Sequence, residues 1–216
     1  MSSLRDYAPA ADAARPLSEA ELLDSLERAL APWKPGTPFW IFAYGSLMWN
    51  PSFKSDAHHV ALVRGYHRSF RLWSRMNRGS PENPGLVLTL DRGGSCRGLV
   101  YRIDPAIVRE EIHGIWKREM TYGSYLPKWL NCVVVGGECV SALAFTVNRD
   151  CSGYAGAIPT EVMVDCLASA RGRNGPAYDY LFKTTETLRQ HGIRDERVEH
   201  LAHLVKARIS TQGCRE

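Results

Sequence analysis

Hydrophobic positions along the chain change their spacing twice, and this divides the sequence into three regions. Leucines recur at helical spacing between residues 19 and 30, at Leu22, Leu23, Leu26 and Leu30. Ser18 and Glu21 precede them in the S-x-x-E pattern of a capping box. From 39 to 148 the spacing is that of β-strands, and after residue 150 the helical spacing returns. The pattern predicts a short N-terminal helix, a region of strands and a C-terminal helical layer.

The central region contains six segments with strand character: FWIFAYGSL, HHVALVRGYHRSFRLWS, GLVLTL, CRGLVYRI, WLNCVVV and CVSALAFTV. Glycine-containing turns at 91–94 and 135–138 predict hairpins between neighbouring segments. Consecutive strands favour a largely antiparallel sheet or barrel over a parallel βαβ array. We therefore expect an α+β fold.

One helix interrupts the strands. Asp104 as N-cap and Pro105 at the first helical position predict its start, and it continues through AIVREEIHGIWKREM. Its buried stripe consists of three apolar residues at helical spacing: Val108, Ile112 and Ile115. Later helix starts are predicted at Thr160, at Gly175-Pro176 and at Asp195.

An acidic residue falls on the apolar face of the central helix. One more turn along the stripe leads to Glu119, and burial there would raise the pKa of the carboxyl towards the range of a general base. The pattern equally allows a structural carboxylate at the end of the helix, paired with Arg118, Lys117 or another cation. Glu110 and Glu111 lie off the stripe and are interpreted as solvated charges.

The first strand segment is interrupted at Gly45-Ser46. Glycine permits positive φ and close backbone approach, and a turn at a strand end exposes N–H groups that can hold a carboxylate or an oxyanion. A glycine bulge in a buried strand has the same local sequence, so this stretch alone is a weak signal.

Composition and charge narrow the function classes. The chain has 216 residues, 44% of them hydrophobic, and a formal net charge of +4, which suits an anionic small molecule and does not require nucleic acid. Residues 64–78 combine arginines with aromatic side chains, but their spacing near two favours a strand over a nucleic-acid surface. Six scattered cysteines lack any C-x-x-C pair, which predicts reduced thiols and no metal site. Neither a signal peptide nor a membrane-spanning run is present in the sequence, so we expect a cytoplasmic protein.

Five motifs occur in a recognisable order: YGSLMWNP, KREMTYGSY, YAGAIP, RGRNGPAYDYLF and HLAHLVKARI. In this order they resemble the ChaC family of γ-glutamylcyclotransferases, in the branch that acts on glutathione. The resemblance runs from about Trp40 to Ile209. It divides the chain into residues 1–36, an arm and a short helix, and residues 37–216, a catalytic domain.

The resemblance implies a small mixed β-barrel flanked by helices, and a lyase that cleaves glutathione to 5-oxoproline and cysteinylglycine with no metal or cofactor. It assigns the catalytic role to Glu119. It assigns the loop that cradles the γ-glutamyl group to Ala43, Tyr44, Gly45, Ser46, Leu47 and Met48. Tyr122 and Arg71 are candidates for orienting the substrate.

Three other functions stay open at this point. A cyclotransferase of wider range would act on γ-glutamyl amino acids or γ-glutamylamines with the same base and loop. A non-catalytic regulatory protein would bind a partner, although a buried acid is costly for a protein that transfers no proton. A nucleic-acid binder would use residues 64–78. Oligomeric state and the role of residues 1–36 are not indicated by the sequence.

Overall fold

The structure is a computed structural model and describes residues 7–8 and 15–213. Helix α1 spans Glu19–Leu30, as predicted. Its capping box is complete, because the Ser18 hydroxyl accepts a hydrogen bond from the Glu21 N–H and the Glu21 carboxylate accepts one from the Ser18 N–H at 2.7 Å. The arm expected at residues 1–16 lies outside the described residues, apart from residues 7–8 and 15–16.

The described chain forms two compact units. One holds residues 15–69 and 89–151, and the other holds residues 70–88 and 152–213 together with residues 7–8. The chain passes between the units within two long strands, β2 (Ala57–Ser74) and β3 (Gly85–Ile103). The division at residue 37 that the resemblance implies stays a prediction.

Within the described residues, β2 and β3 join β1 (Phe39–Ala43), β4 (Tyr125–Val134) and β5 (Cys139–Val147) in a closed barrel, in the order β1-β3-β2-β4-β5. Strand β1 pairs antiparallel with β3 from Phe39↔Ile103 to Ala43↔Leu99. The barrel is mixed, because β5 pairs in parallel with β1 and with β3. The expected α+β fold and the expected barrel are therefore confirmed.

One of the two predicted hairpins is present. Strands β4 and β5 are joined through Gly136 and Gly137, both with positive φ, and the Val134 N–H donates to the Glu138 carbonyl at 2.8 Å. The hairpin predicted at 91–94 is wrong, because β3 runs on through this segment and then pairs with β1. Gly93 and Gly94, with φ of 101° and 68°, bend the strand without reversing it.

Helix α2 (Val108–Met120) begins later than predicted, with Ile107 as its N-cap. The Asp104 carboxylate accepts a hydrogen bond from the Ala106 N–H at 2.8 Å, and the Asp104 carbonyl accepts one from Ile107. Asp104 therefore closes a separate turn that precedes the helix. The predicted buried stripe is confirmed, because its three apolar residues have no exposed surface.

The second unit contains the helices predicted after residue 150: α3 (Thr160–Ser169), α4 (Ala177–Gln190) and α5 (Glu196–Gly213), with a short hairpin of β6 (Arg171–Gly172) and β7 (Gly175–Pro176). Asp195 caps α5 as expected, since its carboxylate accepts a hydrogen bond from the Val198 N–H. The cap predicted at Thr160 is wrong, because Pro159 holds the N-cap position and α3 already includes Thr160.

An ion pair between a buried carboxylate and a half-exposed arginine lies close to the point where β3 meets β5. The Asp91 side chain is 1% exposed and accepts hydrogen bonds from Arg149 Nε at 2.8 Å and from a terminal Arg149 nitrogen at 2.7 Å. Leu90 and Thr146, next to this pair, are in register between the two strands. We interpret the pair as a fixed support of the closed barrel.

Replacement of Arg149 by alanine should destabilise the protein by about 2 kcal/mol, because the buried Asp91 carboxylate loses the Arg149 cation. The loss is smaller than for a fully buried pair, since Arg149 is half exposed and the Arg92 N–H still donates to Asp91. Arg102→Ala is the matched control, since the Arg102–Asp56 pair is about 40% exposed on both sides and should contribute less than about 1 kcal/mol. Urea unfolding of the two variants measures the difference. Equal losses of unfolding free energy in the two variants would show that the burial of Asp91 adds nothing to the contribution of its ion pair.

Candidate active site

The segment after β1 forms a tight turn rather than a continuing strand. Ser46–Met48 make one turn of 3₁₀-helix, closed by hydrogen bonds from the Met48 N–H to the Gly45 carbonyl and from the Asn50 N–H to the Ser46 carbonyl. Among the described residues, the N–H groups of Ser46 and Leu47 at the start of this turn have no acceptor. The turn therefore presents two backbone donors at the end of a strand.

Gly45 does not use the positive φ that glycine permits. Its φ is −138°, and it precedes the 3₁₀ turn as the N-cap residue. The strand is interrupted because the following N–H groups bond back to the carbonyls of Gly45 and Ser46.

Tyr44 anchors the turn to the barrel. Its side chain is 7% exposed, and its hydroxyl donates a hydrogen bond to the Phe145 carbonyl at 2.7 Å. The buried guanidinium of Arg68 donates to the carbonyls of Tyr44 and Arg97. The spacing of residues 64–78 does not distinguish Arg68 from the other arginines of this segment, and the structure places this one inside, against the backbone of the turn.

Arg118 connects the turn to helix α2. Its guanidinium donates hydrogen bonds to the Asn50 carbonyl at 2.6 Å and to the hydroxyls of Ser46 and Ser52, each at 2.9 Å. Its Nε lies 3.0 Å from Glu119 Oε1. One side chain therefore holds the carboxylate of Glu119 next to Ser46.

Glu119 combines both interpretations that the sequence left open. Its side chain is 13% exposed, and burial raises the pKa of the carboxyl above its ordinary value of 4.5. The positive charge of Arg118 acts in the opposite direction, but burial is the larger effect. Glu119 is therefore a paired carboxylate whose raised pKa makes it a suitable proton acceptor and donor.

Glu111 is not the solvated charge expected from the helical pattern. Its side chain is 11% exposed and lies against Lys54, whose backbone N–H donates to Glu111 Oε2 at 3.0 Å. The partner comes from the segment before β2, which the periodicity of one helix does not reveal. Glu110 is exposed, as predicted.

The two residues proposed to orient a substrate lie in different units. Tyr122 is 40% exposed in the turn after α2, three residues beyond Glu119. Arg71 is half-buried in the part of β2 that belongs to the second unit, where its carbonyl accepts a hydrogen bond from the Ala155 N–H at 2.9 Å. Their roles stay predictions.

Other kinds of chemistry have little support in the described part of the chain. No three His, Cys, Asp or Glu residues are grouped there so that they could hold a metal ion. Burial raises the pKa of the Cys132 and Cys166 thiols to about 12, which keeps both protonated and poorly nucleophilic. No described helix has the length and apolar character needed to cross a membrane.

The fold and the site define a class of protein in which a small mixed barrel ends in a turn beside an arginine-paired glutamate on a flanking helix. A family model described as ChaC-like protein matches residues 39–208. The chain therefore belongs to the ChaC-like protein family, as the five motifs indicated.

Several named proteins are similar to this chain in sequence, and two of them illustrate the match. A glutathione-specific γ-glutamylcyclotransferase of Escherichia coli is 34% identical over 84% of this chain and 79% of that protein. Human glutathione-specific γ-glutamylcyclotransferase 1 is 32% identical over 82% of each chain. The crystal structure of a yeast γ-glutamyl cyclotransferase specific to glutathione has a TM-score of 0.74 at 20% identity, and the match covers 79% of this chain and 96% of that one. This last likeness supports the fold.

The raised pKa of Glu119 predicts a pH-dependent effect of Glu119→Gln on stability. Below about pH 4.5 the carboxyl is protonated in the folded and unfolded states, so wild type and variant should melt at similar temperatures. As the pH rises from 4.5 through the raised pKa, the folded state binds the extra proton and the wild type should lose stability relative to the variant. Thermal melts across this range measure the difference. A wild type that is more stable than the variant at neutral pH would show that pairing with Arg118 outweighs burial.

Proposed function

We propose that this protein is a glutathione-specific γ-glutamylcyclotransferase, with Glu119 as its general base. The names of its relatives support the substrate. The observation that carries the mechanism is the position of the Glu119 carboxylate, which Arg118 holds beside the Ser46 turn. A base with a raised pKa and a pair of backbone donors then share one end of the barrel.

The reaction needs one proton acceptor and no external nucleophile. Glu119 takes a proton from the α-ammonium group of the γ-glutamyl moiety, and the resulting amine attacks the γ-carbonyl carbon of the same molecule. The new C–N bond closes a five-membered lactam. The bond to the cysteinyl nitrogen breaks as Glu119 returns the first proton to that nitrogen. The ring nitrogen gives up its second proton to the released amine, so the products are neutral lactam 5-oxoproline and cysteinylglycine with a protonated amine. The site contributes mainly by holding the amine and the carbonyl in reactive geometry.

The turn supplies the groups that would hold the substrate in this mechanism. The N–H groups of Ser46 and Leu47 stabilise the oxyanion that forms when the amine attacks, because backbone donors there need no rearrangement. The guanidinium groups of Arg68 and Arg118 fix the carbonyls of the turn and make its surroundings positive, which favours a substrate with carboxylates. Tyr44, with its hydroxyl bound to Phe145, takes part through its backbone.

Assay of the purified protein with glutathione tests the function. We expect 5-oxoproline and cysteinylglycine in equal amounts, and little product from γ-glutamyl-alanine. Similar turnover of both compounds would replace the proposal by a cyclotransferase of wider range. If neither glutathione nor γ-glutamyl-alanine gives product, the result would favour a non-catalytic regulatory protein. Turnover should survive a chelator, since the mechanism uses a carboxylate and backbone donors.

Glu119→Gln should reduce turnover about a hundredfold to ten-thousandfold, the usual contribution of a positioned general base, while glutathione still binds through the turn. The amide keeps the shape and the contact with Arg118 but accepts no proton at neutral pH. Glu110→Gln, an exposed position on the same helix, is the control and should behave as wild type. Glu111→Gln is unsuitable as a control because Glu111 is itself buried against Lys54. Near-normal turnover of a folded Glu119→Gln protein would remove the proposed base.

A further inference from the structure

Helix α1 lies outside residues 39–208, the part of the chain that the family model matches, yet it contacts the helix that carries Glu119. Both helices belong to the same compact unit. Helix α1 is therefore an addition to the matched core that contacts the candidate catalytic helix.

Two of the hydrogen bonds that join the N-terminal segment to α2 lie on either side of Glu119 in the sequence. The indole N–H of Trp116 donates to the Ser25 hydroxyl at 2.7 Å. The backbone N–H of Leu17 donates to the carbonyl of Thr121, the C-cap residue of α2, at 2.8 Å. The last turn of α2 is thus held three residues before Glu119 and two residues after it.

Trp116 makes the first of these bonds well defined. Its side chain is 1% exposed and meets the Phe145 ring edge-on, with centroids 5.7 Å apart. A buried indole N–H requires an acceptor, and Ser25 provides it. The position of the last turn of α2 is therefore coupled to the position of α1.

Apolar packing between the two helices is incomplete. A half-open groove of about 320 Å³ runs along the two helices, lined by Leu22, Leu23, Leu26, His113, Trp116 and Thr121, together with charged side chains. The ion pairs Arg109–Glu27 and Lys117–Glu19 also join the helices, but all four side chains are more than half exposed, so both pairs contribute little. The two hydrogen bonds are the specific contacts next to the site.

We propose that α1 is a positioning element for Glu119, and that Ser25 is a positioning residue which acts through Trp116. The second part rests on the proposed function, because it assumes that Glu119 is the base. Loss of the Ser25 acceptor loosens the last turn of α2 and moves Glu119 relative to the Ser46 turn. A displacement of about 1 Å at a reacting group can reduce a rate about a hundredfold. A partial loosening of the last turn of α2 is therefore expected to reduce kcat about tenfold.

The experiment uses three full-length variants. Ser25→Ala removes the acceptor, Ser25→Thr restores a hydroxyl at the same position, and Glu27→Gln is the control in the exposed ion pair of the same helix. We measure hydrogen–deuterium exchange of the amides at 117–121, and kcat and KM for glutathione. We expect faster exchange and an about tenfold lower kcat for Ser25→Ala, with KM little changed. Ser25→Thr should restore the wild-type exchange rates and kcat, and Glu27→Gln should match wild type in both measurements.

The exchange measurement decides the structural part of the proposal without any substrate. Unchanged exchange at 117–121 in Ser25→Ala would overturn it, whatever the activity of the protein. Faster exchange with unchanged kcat would overturn the positioning role, and a loss of activity that only follows the folded fraction would do the same. A wild type that does not turn over glutathione would instead refute the proposed function, and exchange would still report whether α1 holds the end of α2.

Discussion

The guanidinium of Arg118 is the contact on which the site depends. It comes from α2, reaches the turn after β1 through Ser46, Ser52 and Asn50, and at the same time contacts Glu119. Arg118 thereby links the two elements that carry the carboxylate and the backbone donors. The barrel fixes one of these elements through the β1–β3 register, and the buried stripe of α2 fixes the other.

Two opposing effects set the chemistry of Glu119. Burial disfavours its charged form, whereas the charge of Arg118 favours it, and the result is a pKa above the ordinary value. A carboxyl buried without a cation would bind its proton too tightly, and a fully solvated one would be too weak a base. The same guanidinium that places Glu119 therefore also limits how far its pKa rises.

Local patterns predicted the elements that carry the site. The spacing of Val108, Ile112 and Ile115 was sufficient to place Glu119 on the buried face, and the capping box was sufficient to locate α1. The errors arise where distant segments meet. Ser46 and Arg118 are 72 residues apart, and the burial of Glu111 depends on Lys54. The path of β3 through 91–94 is set by its pairing with β1, so its glycines alone suggested a hairpin that is not formed.

The pH dependence of turnover in wild type and in Arg118→Met tests the account most directly. In the proposed mechanism Glu119 must be deprotonated to accept a proton, so kcat should fall towards low pH with the pKa of this carboxyl. Methionine removes the positive charge that lowers this pKa and retains an apolar side chain. The account predicts that the acid limb of the profile moves to higher pH in the variant. An acid limb that stays in place, or moves to lower pH, would contradict it.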